Sequence, residues 1–286
     1  MVAAKKPRSL KEALSGVLPA ELLQDVVRGF DIIGDIAVIE IPRGFEKYEK
    51  KIGQAVLSVH RNVKTVCKKA GKHVTEFRVM PVEVIAGEAR KPLETVYQEH
   101  GVRMRVRVGE VYFSPRLGTE RQRIAGLVRE GEVIAALFAG AGPFPLVIAR
   151  QKKCEVYAVE LNPVGVDLMQ MNVQMNRLKG RIIPLLADAR DAPRLLPPCD
   201  RVLMPMPKGG EDFLDVAFRL VKPGGTVHFY QFAPDSDLWT DAQARVWDAA
   251  RRAGKRVEIA SKHVVRPHAP RVSQVVIDFR VFEARA

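Results

Sequence analysis

From about residue 116 onward, apolar runs with strand character alternate with amphipathic runs of helical period for about 170 residues. No other feature restricts the fold as much. The pattern predicts a helix over 119–130, a strand over 133–139, a helix over 143–151 and a strand over 155–161. It continues with a helix over 163–178, strands over 181–188 and 200–206, a helix over 211–221, a strand over 226–232 entered by a Pro-Gly-Gly turn, and a helix over 238–254. Two last strands, 256–265 and 273–282, have no helix between them. Such alternation builds an α/β, doubly wound parallel sheet whose ligand sites lie outside the strand C-termini. A terminal hairpin would insert the final strand antiparallel.

Residues 1–108 read differently. A helix over 9–27 split by Pro19, a strand over 31–42, a basic helix over 45–62 and strands over 63–69, 77–87, 93–101 and 102–113 suggest a small α+β domain. The second domain is expected over 109–286. In 102–108, Val102, Met104, Val106 and Val108 fall on one face and Arg103, Arg105 and Arg107 on the other. Net charge is +13, and nine basic residues between Lys47 and Arg78 face only Glu49 and Glu76. Eight more between Arg245 and Arg271 face Asp248 and Glu258. A polyanion such as RNA is the partner such clusters suit, with a solvated basic surface as the alternative. Lys64, Lys68, Lys69 and Lys72, with the arginine row, are the candidate RNA contacts.

The longest apolar run, 132–149, is broken by glycine and proline, so no membrane span is expected. The N-terminal segment lacks the apolar core of a secretory signal, which points to the cytoplasm. Cys67, Cys154 and Cys199 are scattered, without CxxC or a histidine at zinc spacing, so reduced thiols and no metal are expected.

The first strand of the second domain ends in 139-AGAGPF-144, where Gly140 and Gly142 let a bound nucleoside or phosphate approach the backbone. Glu160 ends the second strand, where a carboxylate accepts from both ribose hydroxyls, which fits NAD or S-adenosylmethionine. Asp188 ends the third, where an acid suits the adenine amino group of S-adenosylmethionine. No cation in the glycine turn awaits a pyrophosphate. Phe138, Ala139, Phe144, Leu161 and Ala189 flank these positions and complete the candidate cofactor pocket. Structural roles compete: such turns occur without ligands, and Glu160 and Asp188 can cap the following helices. The unseparated terminal strands match class I methyltransferases rather than dehydrogenases.

The segment 111–144, containing Tyr-Phe-Ser-Pro-Arg and Glu-Arg, resembles the archaeal and eukaryotic tRNA (guanine-37-N1)-methyltransferase family, which includes the wybutosine-pathway aminocarboxypropyl transferases. The likeness extends to 31–42, 94–101, 157–163, 200–218 and 266–279. It implies a Rossmann-like class I methyltransferase domain preceded by a small RNA-binding domain, S-adenosylmethionine as cofactor and the tRNA anticodon stem-loop as partner. A monomer is expected. The family's further N-terminal domain, which grips the tRNA elbow, has no counterpart expected in this length. Two positions depart from the pattern: Ala136 replaces an acid at the first strand's end, and 205-PMP-207 replaces Asn-Leu-Pro, leaving Pro207 as the match.

The resemblance implies Glu120 as the base removing the guanine N1 proton, with Tyr112 stacking on the base and Arg116 holding O6 or a phosphate. Arg78 aligns with an arginine facing the base. Glu120 can also be an acid at a helix start, and Tyr112 and Arg116 anchors at a domain boundary. Aminocarboxypropyl transfer and a non-catalytic RNA-binding factor are the competing functions.

Overall fold

The computed structural model describes residues 7–24, 29–71 and 77–284; Lys72 and part of the first expected helix lie outside them. The chain divides into two compact units, Met1–Gln98 with Arg103–Pro115, and Glu99–Val102 with Arg116–Ala286. The boundary expected after residue 108 therefore moves to 115, because the segment after Gly109 turns back onto the first unit, where a Cβ on Gly109 would press on Val82.

The first unit contains α1 (Leu10–Leu14), β1 (Asp31–Ile33), β2 (Ile36–Ile39), α2 (Glu49–Val59), β3 (Thr65–Lys69), β4 (Val82–Gly87), β5 (Glu94–Glu99) and β6 (Val102–Arg107); the tip of the β5–β6 pair belongs to the second unit. Sheet order is β1-β2-β3-β4, parallel only between β2 and β3. The apolar face of α2 (Ile52, Val56) covers Ala37, Ile39, Val66 and Ile85. Gly53 permits this approach, since a Cβ there would lie 2.7 Å from that of Ala86. β4 starts later than expected, after Pro81, which has no N–H for the ladder. β6 alternates as read, with Val102, Met104 and Val106 buried and Arg103 and Arg105 exposed, but it stops at Arg107, before Gly109 with its positive φ.

The second unit contains α3 (Gly118–Leu127), β7 (Val133–Leu137), α4 (Pro143–Gln151), β8 (Glu155–Glu160), α5 (Pro163–Gln174), β9 (Arg181–Leu186), α6 (Ala192–Leu195), β10 (Cys199–Met204), α7 (Leu214–Leu220), β11 (Val221–Pro234), α8 (Thr240–Arg252), β12 (Lys255–Ala269) and β13 (Val272–Glu283). Its seven strands run in the order β12-β13-β11-β10-β7-β8-β9. Neighbours from β9 to β11 are parallel, and β13 is antiparallel to β11 and β12. The expected doubly wound sheet with an inserted last strand is present. The strand order reverses between β7 and β10, which opens the crevice used by ligands in such sheets. The Pro-Gly-Gly segment does not end a strand: the four residues of β11 between Val221 and Thr226 bulge opposite the single residue Asp200 of β10. The terminal hairpin is longer than predicted because its ladder runs on through Arg266 and Pro267.

Candidate active site

The turn after β7 needs unusual backbone. Phe138, Gly140 and Gly142 have φ of 56°, 56° and 85°. A Cβ at Gly142 would sit 2.8 Å from Met169, so glycine is required there for space as well as for conformation. Gly142 caps α4, and Pro143, which has no N–H to satisfy, opens it.

Glu160 closes this turn from β8. Its Oε2 accepts the Gly140 N–H at 2.7 Å and its Oε1 accepts the Asn162 N–H at 2.8 Å. Gly165 leaves room beneath, since its Cβ would lie 3.1 Å from Glu160 Cγ. A carboxylate offers about four acceptor positions, and the backbone takes two. The other two fit the paired hydroxyls of a ribose. Glu160 caps no helix; Asn162 caps α5 by accepting from the Val164 N–H. Asp188 does cap: it accepts from the Arg190 N–H at 2.8 Å and from the Arg190 guanidinium at 3.0 Å, closing the turn that contains the buried Ala189. Asp188 thus caps the turn it precedes, whereas Glu160 caps no helix and ties two backbone N–H groups together.

Aromatic contacts join the turn to both sides of the crevice. Phe138 meets Phe213 edge-on at 4.9 Å, and Arg190 lies over the Phe213 ring. Phe144 meets Tyr230 at 6.3 Å. Ala139 is buried, while Leu161 is 40% exposed beside Glu160, an apolar surface where a ring can pack. These residues fit S-adenosylmethionine: one acid for the ribose, apolar walls, and backbone free to approach.

Glu120 stands in the first turn of α3 yet does not cap it. It is 3% exposed, and its carboxylate accepts from Tyr230 Oη at 2.5 Å and from Arg123 Nε and Nη2 at 2.7 and 2.8 Å. The solvent-facing acid of a helix start is therefore replaced by a buried acid joined through Tyr230 to Phe144 of α4. The start of α3 is held by His100, bonded to the Gly118 carbonyl, and by Glu99, which pairs with the buried Arg121.

Arg116 is exposed on the turn leading into α3. Pro207, half-buried after β10, accepts the Phe232 N–H through its carbonyl. Tyr112 and Arg78 belong to the first unit, where both are exposed; Arg78 has φ of 53°. The basic row needs correction. Lys68 pairs with Glu49 and Glu83, Lys69 with Glu40, and Arg105 and Arg107 with Glu94, and of these acids only Glu49 lies within the basic segment as counted along the chain. Lys50, Lys51, Arg61 and Lys64 are exposed cations on and around α2.

Sequence reasoning missed Arg123, Tyr230, His228 and Asp278. The signals were polar residues inside apolar strands: His228 and Tyr230 alternate within 226-TVHFYQF-232, and Asp278 interrupts 275-VVIDF-279.

Comparison with known proteins places residues 95–260 in the TRM5/TYW2 methyltransferase domain and residues 10–91 in the TYW2 N-terminal domain. The chain is 38% identical to a tRNA (guanine(37)-N(1))-methyltransferase, Trm5b, of Pyrococcus abyssi, over 97% of this chain and 82% of that one. It is 29% identical to the tRNA(Phe) (4-demethylwyosine(37)-C(7)) aminocarboxypropyltransferase of Pyrococcus horikoshii over 98% of both. A solved complex of aTrm5 with tRNALeu superposes with a TM-score of 0.84 at 32% identity, covering 97% of this chain and 79% of that one.

Proposed function

Because this chain belongs to the TRM5/TYW2 methyltransferase family, we propose that it methylates N1 of guanine 37 in tRNA, using S-adenosylmethionine. The observation that carries this reading is the carboxylate of Glu120, buried beside the cofactor turn and linked to it through Tyr230 and Phe144. Guanine N1 carries a proton at neutral pH, and transfer there needs an acceptor for it. Glu120 takes that proton as N1 bonds to carbon, a task within reach of a carboxylate because the N1–H becomes far more acidic as the bond forms.

S-adenosylmethionine, when bound, supplies an electrophilic methyl group on a sulfonium. Glu160 and the 138–142 turn hold the nucleoside end, with Asp188 at the rim. Arg116, exposed at the entrance to α3, holds guanine O6 or a phosphate. The first unit receives RNA of the anticodon stem-loop through its α2 surface, where Lys50, Lys51, Arg61 and Lys64 are exposed.

A second reading, aminocarboxypropyl transfer, draws support from the match of residues 10–91 to the TYW2 N-terminal domain and from Pro205, which stands where the family pattern has an amide. Incubation with labelled S-adenosylmethionine of unmodified tRNA and, separately, of tRNA carrying the tricyclic guanine derivative at position 37, then nucleoside mass analysis, decides between them. N1-methylguanosine is the expected product. The heavier group on a tricyclic base, with no methylation, overturns it. Glu120→Gln should slow single-turnover methylation by roughly 10²–10⁴-fold while cofactor and tRNA binding change little. Near-normal rates at neutral pH would dismiss Glu120 as the base.

A further inference from the structure

A continuous chain of polar side chains crosses the interior of the second unit and ends at Glu120. It begins at Glu132, whose two oxygens accept from Arg201 Nε and Nη2 at 2.7 and 2.9 Å. Arg201 Nη1 lies 2.6 Å from His228 Nε2, and His228 Nδ1 lies 2.6 Å from Asp278 Oδ1. Asp278 Oδ2 accepts from Arg123 Nη1 and from Ser261 Oγ, each at 2.7 Å. Arg123 then grips Glu120, and Tyr230 donates to the same carboxylate.

The geometry sets the protonation of His228. A guanidinium only donates, so Nε2 is an acceptor and the one proton sits on Nδ1, donated to Asp278. Complete burial pushes His228 below its ordinary range, against the pull of Asp278, and agrees with the neutral ring. Burial works against ionisation of Asp278 too, but His228 and Arg123 beside it outweigh this and hold its carboxyl well below the usual range. Burial, with the charge of Glu120, raises Tyr230 far above a free phenol and keeps it a donor. Three carboxylates (Glu132, Asp278, Glu120) therefore share two guanidiniums (Arg201, Arg123). The neighbouring Glu99–Arg121 pair adds no net charge.

We infer that Arg123, Asp278, His228 and Tyr230 are positioning residues that orient Glu120 within a buried cluster carrying one surplus negative charge, the charge that the N1 proton neutralises. This rests on Glu120 being the base. Burial of such an ion cluster is by itself weak evidence for a stabilising role, since apolar packing of similar volume often stabilises as well or better. Asp278 keeps part of the Arg123 charge from Glu120; Tyr230 fixes the orientation of Oε1.

Two variants move the reaction in opposite directions. Asp278→Asn leaves Arg123 to Glu120 alone, so the acid-side midpoint of the single-turnover rate against pH should fall, with the neutral-pH rate about 10- to 100-fold lower. Tyr230→Phe keeps every charge and removes one donor, so the midpoint should rise. Dissociation constants for S-adenosylmethionine and tRNA should stay within about threefold in both. Unmoved midpoints, or shifts in the same direction, overturn the inference. Should Asp278→Asn fail to fold, Tyr230→Phe decides alone, because an unmoved midpoint in that variant overturns it. Glu120→Gln with normal rates would instead remove the base assignment itself; inactivity of Glu120→Gln with unmoved midpoints in the other variants would leave the base in place and remove only the network's role.

Discussion

Replacing Glu160 by Gln changes one oxygen into an NH₂ and leaves the side-chain shape intact. In the structure both oxygens accept backbone N–H groups, from Gly140 at 2.7 Å and Asn162 at 2.8 Å. Glutamine can satisfy one of them; its NH₂ then faces the other donor. Losing a hydrogen bond to a charged acceptor costs about 1.5–3 kcal/mol, and the orphaned N–H adds to this where water does not reach it. The unit holding the site has the size at which 1 kcal/mol moves the midpoint by about 2–4 °C, so ligand-free Tm should fall by roughly 3–12 °C. Ribose binding should suffer separately, because the surviving oxygen has fewer lone pairs to offer and no charge. A loss of about 1.5–3 kcal/mol corresponds to a dissociation constant roughly 10- to 150-fold weaker. Thermal unfolding and titration calorimetry with S-adenosylmethionine read the two effects independently. A lowered Tm with affinity within twofold of the parent would show that Glu160 only ties the turn together, and would refute the assignment of the ribose site.

Changing Lys50, Lys51, Arg61 and Lys64 together to Gln should flatten the dependence of tRNA affinity on salt, whereas the same change at the acid-paired Lys68, Lys69, Arg105 and Arg107 should alter the slope less; binding measured at several salt concentrations compares the two sets. Stability should fall as pH drops below about 6.5, because the unfolded chain protonates His228 while the buried neutral ring in the fold resists it. A further loss should follow below about pH 4, as Asp278, held ionised in the fold, is protonated in the unfolded chain. Both depressed groups act with the same sign, so denaturant titrations from pH 8 to pH 3 should show a monotonic decline, and a His228→Gln variant should lose the upper part of it.

The order of strands and helices was legible because periodicity is local: a residue's place on a strand face depends on its neighbours two positions away, as in Val102, Met104 and Val106. The glycine turn and the acid that closes it were legible for the same reason, since Gly140, Gly142 and the strand-ending Glu160 lie within one strand–helix–strand unit. Where charge is neutralised is not local. Glu94 reaches Arg105 and Arg107 across the β5–β6 pair, and Glu83 and Glu40 reach Lys68 and Lys69 from other segments, so counting along the chain overstated the basic row.

The candidate base shows the same division most clearly. Its position in a Glu-Arg element could be read from the sequence, but its surroundings came from partners 110 and 155 residues away: Tyr230 bonds to Glu120, and Asp278 to the Arg123 that Glu120 holds. Those meetings depend on sheet register. Antiparallel pairing of β11 with the inserted β13 sets His228 directly opposite Asp278, and the pleat turns His228 and Tyr230 to the face on which α3 delivers Glu120 and Arg123. A slip of one residue would send the same side chains to the other face, so the chemistry of Glu120 is decided by the strand pairing that only the folded sheet supplies.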